Sequence, residues 1–295
     1  MNTVTSTANV TTGGALLGDA GQLGPVELQV TDIERSTPFY EGVIGLETLR
    51  REAGISALGV GGDELVVLHE NPEARAPGRT AGIYHYALLY PTREELARAG
   101  MRILEARTPI DGASDHGTHE AIYLPDPDGI GIELAADRSR ELWPSYEDSE
   151  FMRGGPKPLD LRNLLATVAR EEPSSRAAAG LRIGHVHLHV GDLEAATRFY
   201  RDGIGFEVMA TLPSAVFVSF AGYHHLAYNV WRGTGVPPAA PDAVGLRHWT
   251  LQLSDAQELV AVRERLVAIG ASFEERGAGL LARDPSGIGL LLSVR

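Results

Sequence analysis

The feature that most constrains this chain is that one structural pattern is written in it more than once. VELQVTDIERSTPFYEGVIGLETL, from Val26, returns as GHVHLHVGDLEAATRFYRDGIGFEVM from Gly184, almost element for element. Gly82-Ile-Tyr-His-Tyr-Ala returns as Gly245-Leu-Arg-His-Trp-Thr, and Asp126-Pro-Asp-Gly-Ile-Gly as Asp284-Pro-Ser-Gly-Ile-Gly. Repetition on this scale marks supersecondary units that bury their apolar faces against one another. The chain therefore reads as four similar modules in two tandem pairs, and 295 residues are enough for two ordinary domains.

Each module reads as strand, helix and three strands. PVELQV alternates as a strand does; TDIERSTPFYEGVIG follows as an amphipathic helix, with Asp32 as N-cap and Phe39, Tyr40 and Val43 on its apolar side. Gly42 and Gly45 suit the helix end and the turn after it. LETLRREAG, ISALGVG and DELVVLHEN are three strands between Gly and Asp turns. The expected fold class is α+β: four βαβββ modules in two tandem domains, 23–137 and 182–295, after a flexible tail at 1–22. The linker at 138–181 carries a short helical patch around Leu161 to Arg170. A connection that long usually has a reason, and it would let modules pair out of sequence order.

Which side chains could carry chemistry is narrowed by composition. With 26 Lys and Arg against 39 Asp and Glu the net charge is −13, which argues against a non-specific nucleic-acid surface. The absence of cysteine excludes disulfides, thiolate metal sites and a Cys nucleophile. The first twenty residues lack the basic start and apolar core of a signal peptide, and no apolar run is of membrane-spanning length, so the expected compartment is the cytosol.

Laying the modules over one another exposes a metal constellation. At two positions, near the start of the first strand and in the middle of the last, the first module has Pro25 and Val67 and the second His85 and Glu133. The third has His185 and His225, the fourth His248 and Leu291. Ligands are concentrated in the second and third. Joining those two gives His85, His185 and Glu133 as a 2-His-1-carboxylate face, with His225 nearby; this set leaves open positions and suits non-haem Fe(II), with Mn(II) also compatible. Burying a carboxylate in the run GIGIELA would be costly without a partner, which supports Glu133 as a ligand.

The βαβββ repeats, the helix ends of the FYxxxIGxE kind and the DPxGxGIEL-like hairpin resemble the vicinal oxygen chelate superfamily, from Pro25 to Arg295. Within it the chain resembles the extradiol ring-cleaving dioxygenases of the catechol 2,3-dioxygenase type. That resemblance implies two tandem vicinal-oxygen-chelate domains, Fe(II), O2 as co-substrate and a small aromatic diol as substrate, with neither nucleic acid nor membrane as partner and a homo-oligomeric assembly. The family carries a Tyr ten residues before the ligand Glu and a His shortly before that Tyr, which here are Tyr123 and His116. It also places a His serving oxygen chemistry on the last strand of the other metal module, matched to His225. The resemblance thus implies that Tyr123 helps deprotonate the diol, that His116 helps hold it and that His225 acts as acid on the oxygen side. The departure is module order: the second module, not the fourth, bears the carboxylate, so second is inferred to pair with third and first with fourth.

Other readings stay open. Strand alternation puts His187 and His189 on the face of His185, as substrate-pocket candidates, and lets only one of His224 and His225 point inward. His116 and His119 fall in a polar stretch that would suit a solvated turn. Arg247 and His248 belong to a pair of modules that looks purely structural, unless His185, His225 and His248 form a three-His site. A glyoxalase-type isomerase or lyase on the same fold would want a carboxylate on the last strand of both metal modules. A non-catalytic binding protein would not need the His/Glu set.

Overall fold

A computed structural model of the protein describes residues 17–143, 155–172, 174–222 and 225–295. Most of the expected tail (1–16), part of the linker (144–154) and His224 lie outside the described residues. Leu17 is buried and its N–H donates to Gly205 O at 3.0 Å.

The first module comprises β1 (Gln22–Val30), α1 (Ile33–Phe39), β2 (Glu47–Glu52), β3 (Ile55–Val60) and β4 (Asp63–Glu70). The second comprises β5 (Gly82–Tyr90), α2 (Arg93–Glu105), β6 (Gly112–Asp115), β7 (His119–Pro125) and β8 (Gly131–Asp137). The linker holds β9 (Lys157–Pro158) and α3 (Leu161–Ala166). The third module is β10 (Arg182–His189), α4 (Leu193–Thr197), β11 (Glu207–Leu212), β12 (Ala215–Ser219) and β13 (Leu226–Asn229). The fourth is β14 (Gly245–Leu253), α5 (Ala256–Ile269), β15 (Ser272–Arg276), β16 (Gly279–Arg283) and β17 (Gly289–Val294).

Two sheets result. One has the order β15-β16-β17-β14-β1-β4-β3-β2, the other β11-β12-β13-β10-β5-β8-β7-β6-β9. Strands of the first and fourth modules share a sheet, and so do those of the second and third, which is the exchanged pairing the ligand positions required. Within a module the first and last strands are parallel, as β5 with β8 and β10 with β13, because a helical crossover separates them. β5 is accordingly buried almost without a break from His85 to Tyr90, the pattern of a strand covered on both faces.

The described chain divides into two compact units, and the division passes through β1, β5 and β10. In the unit of 29–74 and 85–184, Asp32 caps α1 by accepting from Arg35 N–H at 3.0 Å, as expected. The helix does not stop at Gly42; it continues as one π-helical turn, Tyr40–Ile44, and ends at Gly45, whose φ of +92° suits glycine. The Tyr40 hydroxyl donates to Asp126 Oδ2 at 3.1 Å, and buried Arg102 on α2 donates to Val43 O and Ile44 O at 3.3 and 2.8 Å. The linker packs on this helix as well, with Leu164 buried and Arg98 paired with Glu171 at 2.7 Å.

The unit of 1–28, 75–84 and 185–295 repeats these devices. Tyr200 donates to Asp284 Oδ2 at 3.0 Å, and Arg265 on α5 donates to Gly203 O and Ile204 O at 3.3 and 2.6 Å. The conspicuous FY and DP motifs are therefore bonded to each other and serve the fold. Asp126 Oδ1 also accepts from Asp128 and Ile130 N–H, and Asp284 Oδ1 from Ser286 and Ile288 N–H, which shapes the hairpin before each last strand. Burial pushes both carboxyls up to about 6, against the downward pull of these hydrogen bonds. No helix among the described residues is long and apolar enough to cross a membrane.

Candidate active site

Register decides what each strand presents. On β5, β8 and β7 one face carries two successive cross-strand rows: His85 beside Gly131 and Pro125, then Ala87 beside Glu133 and Tyr123. Glu133 therefore stands one row from His85, flanked by Tyr123. Both are deeply buried, and His85 Nε2 lies 3.1 Å from Glu133 Oε2. The Tyr123 ring centroid is 5.6 Å from that of His85.

His185 occupies on β10 the place that His85 occupies on β5, and it too is buried. Ligand atoms of His85, Glu133 and His185 all lie within 4.8 Å of one another. Two imidazoles and a carboxylate, with no sulfur, fit a divalent metal of the Fe(II) or Mn(II) kind. The arrangement His185, His225 and His248 does not form among the described residues as a ligand group. His248 lies on β14 in the other sheet, with Nε2 3.4 Å from Glu27 Oε1 but not aligned as a hydrogen bond.

The stretch that would also have suited a solvated turn is tied down. Arg138 bonds both oxygens of Asp115, one at 2.9 Å, and Glu120 at 3.1 Å. Asp115 Oδ1 in turn accepts from Gly117 N–H at 2.8 Å, and the Arg138 guanidinium holds this carboxyl below the usual carboxylate range. The turn so fixed carries His116, whose Nε2 is 2.8 Å from the Tyr123 hydroxyl. His119 is no surface residue: it opens β7, is only 3% exposed, and its Nε2 lies 3.1 Å from Glu133 Oε1. Alternation along HEAIYLP puts His119 on the face of Tyr123, a signal present in the sequence.

The placement of His225 needs correction. Val186 pairs with Leu226, and His187 with Ala227, so the third-module counterpart of Glu133 is Ala227. His225 lies two residues earlier, just ahead of β13, with its ring stacked on Phe220 at 3.7 Å and Nδ1 3.2 Å from Ser219 Oγ. Matching by sequence aligned the conspicuous histidine, whereas the ladder aligns an alanine.

His187 and His189 share the face of His185 and close on Asn229. The Trp231 backbone N–H donates to Asn229 Oδ1 at 3.0 Å, which orients the amide. Its Nδ2 then donates to His187 Nε2, and His189 Nδ1 donates to Oδ1, each at 2.8 Å. Tyr84 and Trp231, both substantially exposed, pack on these rings with centroids 5.0 to 5.3 Å apart. Sequence reasoning missed Asn229 and Trp231, which lie outside the repeated motifs, and Tyr84, which stands inside one but where its counterpart is Arg247.

Residues 22–134 and 182–291 match the Glyoxalase/Bleomycin resistance protein/Dioxygenase superfamily. The chain belongs to that superfamily. A protein of Bacillus subtilis (strain 168) named catechol-2,3-dioxygenase is 38% identical over 269 residues, 89% of this chain and 93% of that protein. This chain is accordingly a dioxygenase-type enzyme. Among solved structures, one from Bacillus subtilis subsp. subtilis str. 168 superposes with a TM-score of 0.65 at 14% identity, covering 96% of this chain and 86% of that one. Glyoxalase I from Zea mays superposes with a TM-score of 0.59 at 18% identity over 92% of each chain. At such identities both speak for the fold.

Proposed function

We propose that this enzyme cleaves the ring of catechol or a substituted catechol beside one hydroxyl, consuming O2 and yielding a 2-hydroxymuconic semialdehyde-type product. Fe(II), held by His85, His185 and Glu133, is its proposed metal. The observation that carries this reading is the convergence of those three buried ligands with the Tyr123–His116 pair flanking Glu133. When bound, such an ion would supply Lewis-acid and one-electron chemistry to a diol and dioxygen beside these residues.

The remaining roles belong to this chain's own side chains. Tyr123 would hydrogen-bond one diol oxygen, and its hydroxyl, 2.8 Å from His116 Nε2, has a neighbour through which a substrate proton can move. His225, braced against Phe220 and Ser219, would supply a proton on the oxygen side. His187 and His189, held by Asn229, would wall the ring of the substrate. A glyoxalase-type isomerase, with a carboxylate from both metal modules, is disfavoured because Ala227 stands where the second carboxylate would have to be.

The test is anaerobic reconstitution with Fe(II), then catechol and air, following oxygen by electrode and ring fission by visible absorbance. Oxygen uptake equimolar with a yellow product is expected. Absence of uptake with iron bound, across catechol, methylcatechols and a biphenyl-type diol, would overturn the dioxygenase reading. Glu133→Ala should abolish metal retention, whereas unchanged metal content would remove Glu133 from the ligand set.

A further inference from the structure

His119 is a third buried histidine at this centre, beside His85 and His185, and the superfamily resemblance assigned it nothing. Its Nε2 lies 3.1 Å from Glu133 Oε1, while His85 Nε2 faces the other oxygen, Oε2, also at 3.1 Å. The reach from His119 to Glu133 spans two cross-strand rows, and the row between is Ala121 beside Ala135, whose small side chains leave the gap open. Thr118 Oγ1 lies 2.8 Å from His119 Nδ1. A nitrogen facing a carboxylate oxygen carries the proton, so Nε2–H donates to Oε1 and the Thr118 hydroxyl donates to Nδ1.

His116, His119 and Glu133 also fall close enough together to be considered as a second metal site. Ring geometry argues against it. The two imidazoles are stacked with centroids 4.4 Å apart and planes 6° from parallel. A ring nitrogen binds metal along a lone pair in its own plane, at about 2.0 to 2.1 Å, and lone pairs in two parallel planes do not converge on one ion. The stack instead links the residue holding Glu133 to the residue bonded to Tyr123.

We propose that His119 is a positioning residue that holds Glu133 Oε1 away from the metal, so that Glu133 ligates through Oε2 alone. A carboxylate left to rotate would bind through both oxygens and fill a position that the two oxygens of a diol require. The proposal rests on the metal reading of the preceding section. Partners that orient a ligand from behind typically change metal affinity 10- to 100-fold when removed.

The experiment compares apo wild type, Glu133→Ala, His119→Ala and His119→Gln, reading Mn(II) affinity by the electron paramagnetic resonance of the free ion and coordination by the absorption spectrum of Co(II)-loaded protein. Wild type should bind one equivalent and Glu133→Ala should not; failure of that contrast overturns the metal reading itself. With it in place, His119→Ala should bind Mn(II) about 10- to 100-fold more weakly and show an altered Co(II) spectrum. His119→Gln, whose amide can still donate to Oε1, should recover most of the affinity and the wild-type spectrum. Wild-type affinity and spectrum in His119→Ala would overturn the positioning role alone, as would His119→Gln behaving no better than His119→Ala, since the ring would then matter only as filling. Should His119→Ala fail to fold, His119→Met against His119→Gln makes the same comparison of no donor against donor.

Discussion

Tyr123 shows how one side chain acquires a role from its row in a sheet. It stands directly across the ladder from Glu133, and its hydroxyl meets His116 at 2.8 Å. If it moves a proton of the substrate, Tyr123→Phe should lower kcat by about 100-fold or more with iron content unchanged. Steady-state oxygen uptake with metal analysis on the same sample checks this, and wild-type kcat in the variant would reduce Tyr123 to packing. At this scale the sequence was informative where period-two alternation applies: His85, Glu133 and His185 were legible as candidate ligands from strand face and module comparison, and they form a group able to hold a metal ion. His119 was not, because its link to Glu133 runs over two alanines and depends on the distance across three rows.

Among the elements, the hairpin before each last strand is the sharpest case. Asp126 and Asp284 are buried acceptors for Tyr40 and Tyr200, and burial raises both carboxyls to about 6. A carboxyl whose folded pKa lies above its unfolded value binds its proton more tightly in the native state. Its contribution to stability is full below pH 4 and declines as pH rises to 6. The shift corresponds to about 3 kcal/mol for each residue. Asp126→Asn, which cannot ionise and keeps an acceptor for the Asp128 and Ile130 N–H groups, should remove that decline. Urea midpoints from pH 4 to 7 should show the variant gaining relative to wild type as pH rises, and parallel curves would refute the assignment. Repetition of the FY and DP motifs was plain in the sequence, but not that one bonds the other, since they lie 86 and 84 residues apart.

For the whole molecule, the proposed ligands come from the second and third modules, so metal binding would be linked to folding of both. Saturation at about 100 times the dissociation constant should stabilise the fold by about 2.7 kcal/mol, seen as a rise in Tm on adding Fe(II) or Mn(II) to the apo protein. Glu133→Ala should lose that rise, and an equal rise in the variant would place the stabilising metal elsewhere.

Module count, α+β class, the helix caps and the candidate metal ligands were determined by the sequence, because hydrophobic period, capping chemistry and repetition are local properties. Exchange of module partners could be inferred only from where the ligands fell, and the order of the two sheets decided it. Register belonged to the tertiary structure alone. Which residue of β13 stands where β8 has Glu133 is set by the hydrogen-bonded ladder to β10, and a shift of two residues preserves the buried face. Nothing in the local pattern therefore separates Ala227 from His225; only the paired strands do.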